Sequence, residues 1–117
     1  MTDDTLRRKL VAIADMFLSV PSEFGLYQVW PKVKYGLQIA DDREVKRITL
    51  ELVREMLKRG ARAGHYDDPS SWMNYFEETA PDEVVARIGR EWDALSNLPS
   101  IDDICWFEYP ARETAKP

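Results

Sequence analysis

The amino-acid sequence predicts an α+β fold: a mostly helical single domain over residues 1–110, with about four helices and a small two- or three-stranded sheet. Three observations carry this. Long segments repeat apolar residues at three- and four-residue spacing, the period of an amphipathic helix. Two short stretches, 61–66 and 103–109, lie beside turn-forming residues and are too brief for another helix. Finally, the 117 residues are 44% hydrophobic and 32% charged with four tryptophans, the balance of a chain that buries one core.

Residues 3–19 make the first expected helix, because Leu6, Leu10, Ile13, Ala14 and Phe17 share a face while Arg7, Arg8 and Lys9 fall mostly elsewhere. Asp3 or Asp4 is its expected N-cap, and Pro21 its stop. Residues 21–40 hold two prolines, two glycines and four aromatics without a clean period, so they read as irregular with a short helix around 23–29. Phe24, Tyr27, Trp30 and Tyr35 are expected over the edge of the core.

Residues 42–59 carry the clearest pattern. Asp41 and Glu44 have capping-box spacing, Val45, Ile48, Leu52 and Met56 form the stripe, and Gly60 suits the position after the basic end. A brief strand, 61–66, follows. Asp68 as N-cap and Pro69 as the first helical residue then predict a short helix bearing Trp72, Tyr75 and Phe76. Pro81 opens a longer helix with Val84, Val85, Ile88, Trp92 and Leu95 buried, in which Gly89 marks close helix packing. Asn97 and Pro99 end it. The last strand, 103–109, is expected to pair with 61–66, to pack Ile104, Trp106 and Phe107, and to leave Glu108 in solvent; residues 111–117 read as a disordered tail.

The inventory of reactive groups is small. One cysteine, Cys105, permits no internal disulfide and no CxxC pair, and one histidine, His65, leaves no set of metal ligands; no metal and no cofactor are expected. Cys105 between Ile104 and Trp106 reads as a small buried side chain, and His65 as structural or solvent-facing. The five glycines never take the spacing of a phosphate loop. An enzyme using carboxylates and His65 is a remote alternative, since no nucleophile motif accompanies them. The first residues lack the basic flank and unbroken apolar run of a signal peptide, and no window could span a membrane, so the expected location is the cytoplasm.

Charge is distributed unevenly. Residues 1–60 hold 11 Lys and Arg against 9 Asp and Glu, or +2, whereas residues 61–117 hold 5 against 12, or −7. The acidic half would repel nucleic acid and attract a basic protein. The bases of 42–59 alternate with Glu44, Glu51 and Glu55, as on a solvated helix face. Asp68, Asp82 and Glu83 are explained by helix N-termini. In "PSIDDICWFEYP", residues 99–110, acids adjoin aromatics in the way of an interface with anchors inside an acidic rim. Asp102, Asp103, Glu108 and Tyr109, with Asp67, Glu77 and Glu78, are therefore the candidate partner-binding residues.

The pairing of "ELVREMLKRGARAGHYDD" with "EWDALSNLPSIDDICWFEYP", across residues 42–109, resembles small bacterial immunity-protein families encoded beside secreted or contact-dependent toxins. The resemblance implies a cytosolic inhibitor that binds a toxin domain, commonly a nuclease, and masks its active site or substrate surface. It transfers no individual binding residue. An acidic surface suits that task, because a nuclease needs a basic face for its substrate. The alternative is a structural or regulatory subunit acting on a housekeeping partner or as a homo-oligomer joined through the Trp30 and Tyr35 segment.

Overall fold

A computed structural model describes residues 2–66 and 72–111. Among them are four helices and four strands: α1 (Asp3–Phe17), β1 (Ser22–Gly25), α2 (Leu26–Lys34), α3 (Asp42–Lys58), β2 (Arg62–Tyr66), β3 (Met73–Tyr75), α4 (Pro81–Asp93) and β4 (Trp106–Tyr109). The fold is α+β. Its one sheet has the order β1-β4-β2-β3, antiparallel throughout, and no helix among the described residues is long and apolar enough to cross a membrane.

The central element is α3. Val45, Ile48, Thr49, Leu52, Val53 and Met56 are buried, and α1, α2 and α4 all pack against this helix. Asp41 is its N-cap, with Oδ1 accepting from Arg43 N–H at 3.0 Å. Glu44 does not complete a capping box; its carboxylate accepts two hydrogen bonds from Arg47 instead. At the other end Gly60 takes φ 110°, which a side chain would resist. Its N–H reaches Leu57 O and that of Ala61 reaches Met56 O, closing a Schellman motif that aims the chain into β2.

Four expectations are corrected. The N-cap of α1 is Thr2, whose Oγ1 accepts from Thr5 N–H at 3.1 Å, so Asp3 and Asp4 lie within the first turn. Residues 21–40 are not irregular: Ser22–Gly25 is an edge strand, and α2 runs through Pro31, keeping Val29 and Val33 fully buried. Trp72, Tyr75 and Phe76 do not share a helix, because Met73–Tyr75 pairs with Gly64–Tyr66 as a strand; Asp68 and Pro69 lie outside the described residues. Gly89 marks no tight approach, since a Cβ there would stand 3.5 Å from Leu50 Cδ1, an ordinary contact. The expected tail falls mostly outside the described residues.

The core is one cluster. Phe107, fully buried on β4, stacks on Phe24 of β1 at 5.5 Å between centroids, and Phe24 stacks on Phe17 of α1 at 4.8 Å. These rings fasten one face of the sheet to the helices.

Candidate protein-binding face

Strands alternate their side chains between two faces. Phe24, Phe107 and Ala63 stand in register on the helix side and are buried. One step along each strand, the opposite face carries Glu23, Glu108 and Arg62 in one row, and Gly25, Trp106, Gly64 and Tyr75 in the next. The acids, the arginine and the two rings of these rows all retain exposure to solvent.

Trp106 is the centre of this face. Glycine flanks it on both neighbouring strands, for two steric reasons. A Cβ on Gly25 would lie 2.6 Å from Tyr27 Cδ1, and one on Gly64 would lie 2.2 Å from Asn74 O. Tyr27 thus leans over β1 toward the indole from one side, while Tyr66, two residues beyond Gly64, approaches from the other. Their rings lie 5.6 and 5.7 Å from the indole at interplanar angles of 74° and 71°. The indole Nε1–H donates to Asp102 Oδ1 at 3.0 Å.

Asp102 is held by a turn that is hydrogen-bonded on both sides. Ser100 N–H donates to Asp103 Oδ2 at 2.8 Å, Asp103 N–H to Ser100 O at 3.0 Å, and Cys105 N–H to Asp103 O at 2.8 Å. Trp30 Nε1–H on Pro99 O at 2.7 Å and Leu26 N–H on Cys105 O at 3.1 Å tie the turn to α2. Asp102 (φ 65°) and Ile104 (φ 69°) both occupy the left-handed region. Aspartate tolerates it, but a β-branched residue there is strained. Burial of the Ile104 side chain and acceptance by its carbonyl of the His65 Nε2–H hold it in place.

Not all of the expected rim assembles. Asp102 is exposed and accepts from Trp106, which was expected in the core but stands half-buried on the outer face because it alternates with Phe107 along β4. Glu108 lies on the same face but is half-buried, accepting from the Tyr75 hydroxyl, so it is not simply in solvent. Asp103 turns its carboxylate back into its own turn. Tyr109 shares the core side with Phe107 and packs against the core. Glu77 and Glu78 belong to the β3–α4 connection, where Glu78 pairs with Arg87 at 3.0 Å. A backbone hydrogen bond and then Arg87 hold the Glu78 carboxyl below its ordinary range. Asp67 lies outside the described residues. Sequence reasoning missed Tyr27, Tyr66, Arg62 and Tyr75. The two-residue alternation Arg62, Gly64, Tyr66 against Trp106, Glu108 carries the signal for two of them.

The remaining polar features are structural. Cys105 is buried, which pushes its thiol up and away from nucleophilic use. His65 sets its ring edge-on to Phe76 at 5.0 Å. The described residues contain no group of three or more His, Cys, Asp or Glu that could hold a metal. A cleft of about 650 Å³ opens between α2, the first turns of α3 and the end of α4, with Tyr27 and Trp30 along one wall and the Lys46–Asp93 ion pair across another. Tyr27 is common to the cleft and the Trp106 face. No known protein family, curated protein or solved structure matches the chain.

Proposed function

We propose that this chain is a non-enzymatic binding protein whose outer sheet face docks on a basic protein surface and masks it, as a cytoplasmic immunity protein would neutralise a toxin domain such as a nuclease. The observation that carries this reading is the Trp106 face itself: a large aromatic held rigidly by Asp102, with Glu23 and Glu108 beside it. A rigid aromatic gives contact area at low entropic cost, and surrounding acids steer a basic partner into place. The net −7 of residues 61–117 supports the same sign of partner. Self-association through this face is disfavoured, since a two-fold contact would bring together two patches that each carry Asp102, Glu23 and Glu108 against the single base Arg62.

The test is capture of partners from the native cell with the full chain as bait, at increasing salt. A basic partner released progressively by salt is expected. Asp102→Lys and Glu23→Lys, both at exposed positions, are expected to slow its association by about tenfold together. Glu23→Lys should leave the melting temperature nearly unchanged, whereas Asp102→Lys, which loses the indole hydrogen bond and a residue that tolerates the left-handed backbone, should lower it. Capture that is indifferent to both reversals would overturn the reading, as would recovery of the bait alone.

A further inference from the structure

The outer face holds two aromatic–acid pairs, and they differ in one respect. In the first, the Arg62 guanidinium lies 4.4 Å from the Tyr75 ring centroid while the Tyr75 hydroxyl donates to Glu108, which stands opposite Arg62 in register. Ring, carboxylate and guanidinium are all supplied by the chain. In the second, Trp106 donates to Asp102, but among the described residues no Lys or Arg lies over the indole or pairs with that carboxylate. The ring and the acid are present, and no cation of the described residues joins them.

We infer that the Trp106 cluster on the outer face is a socket for an arginine side chain of the partner. The claim rests on the proposed binding function for the source of that arginine. Trp106 is the best aromatic for cation–π attraction, and it keeps part of its surface in solvent between Gly25 and Gly64, which present no side chain of their own. Tyr27 and Tyr66, steeply inclined on either side, add two further rings. Asp102 Oδ1 accepts from the indole, and a carboxylate has lone pairs beyond the one used there. Guanidinium is favoured over ammonium because it is planar, stacks on rings, is weakly hydrated and pairs directionally with carboxylate. On the same face, Arg62 already seats a guanidinium on a ring, Tyr75, whose hydroxyl donates to a carboxylate, although Arg62 itself donates to Phe76 O.

The experiment is NMR titration of the full chain with N-acetyl-arginine methylamide, following the Trp106 indole Nε1–H signal, with the uncharged N-acetyl-citrulline methylamide as isostere at matched ionic strength. A saturable shift with the arginine derivative alone is expected. Asp102→Asn, which keeps an oxygen for the indole N–H but loses the charge, should weaken it by about three- to fivefold. Tyr27→Leu should weaken it too, as an independent check should the first variant disturb the turn. No shift, an equal shift with citrulline, or indifference to Asp102→Asn would overturn the socket, and an equal response to the lysine derivative would overturn the preference for guanidinium. If the probe fails while Glu23→Lys still weakens capture of the partner, the socket falls and the binding face stands. If the probe binds as expected while neither charge reversal affects capture, the Trp106 cluster stands as a guanidinium site and the proposed function falls.

Discussion

Thr49 sits fully buried in the middle of α3, and its hydroxyl meets no hydrogen-bond partner among the described residues. A buried, unpaired hydroxyl loses its water without compensation, whereas valine has nearly the same shape and nothing to desolvate. Thr49→Val is therefore expected to stabilise the fold by about 1 kcal/mol, read as a higher urea midpoint at unchanged slope. A lower midpoint would mean that the hydroxyl is satisfied after all. Ile104 poses the converse case. Its left-handed backbone is unfavourable, yet its side chain fills the core and its carbonyl meets His65, so neighbouring contacts enforce a conformation that the residue alone would avoid.

At the scale of elements, α4 offers a clean test, because Gly89 is half-buried and room for a methyl group exists beside Leu50. Gly89→Ala should stabilise the protein by about 0.5–1 kcal/mol through helix propensity, visible as a rise in melting temperature with unchanged partner binding. A fall would show that α3 and α4 approach more closely than the 3.5 Å contact implies. Helices α3 and α4 were legible in the sequence because their determinants are local: a stripe of apolar residues, Asp41 or Pro81 at the start, Gly60 at the end of α3. The strands β1 and β3 were not. Ser22–Gly25 is four residues long and acquires its structure only from Trp106–Tyr109, far along the chain; Met73–Tyr75 is shorter still, beside a proline that suggested a helix. The candidate site shared this fate. Asp102 was readable beside Trp106, and Tyr66 from its alternation with Arg62 and Gly64, but Tyr27 and Tyr75 reach the face through the pairing of β1 with β4 and of β3 with β2, which no local pattern encodes.

For the whole molecule, ion pairs bind the helices laterally. Arg59 bridges Asp15 of α1 and Glu55 of α3, Arg54 bridges Glu51 and Asp82 of α4, and Lys46 pairs with Asp93. Such exposed pairs contribute little singly, so their pH dependence is more informative than their number. Hydrogen bonding to Arg47 holds Glu44 below its ordinary 4.5, and the backbone together with Arg87 does the same for Glu78. A carboxyl depressed in the folded state contributes stability above pH 4.5 that is lost as pH falls through the lowered value. Urea midpoints should therefore decline as the solution is acidified below pH 4.5, and Glu78→Gln should flatten that decline. An unchanged slope in the variant would remove Glu78 from the account.

The sheet order β1-β4-β2-β3 places the last strand in chain order between the other two segments of the sheet. Until Trp106–Tyr109 is available, β1 has no partner and β2 has only β3, so half the sheet waits on its final four residues. Helices with local contacts can form early; this strand pairs with segments distant in sequence and pays loop-closure entropy to do so. During synthesis, then, a growing chain would carry its helices and an incomplete sheet until β4 emerges, and the Trp106 face would come into being in the same event that completes the sheet. A chain cut short before β4 could not display part of that face, because the residue at its centre belongs to the strand that closes the fold.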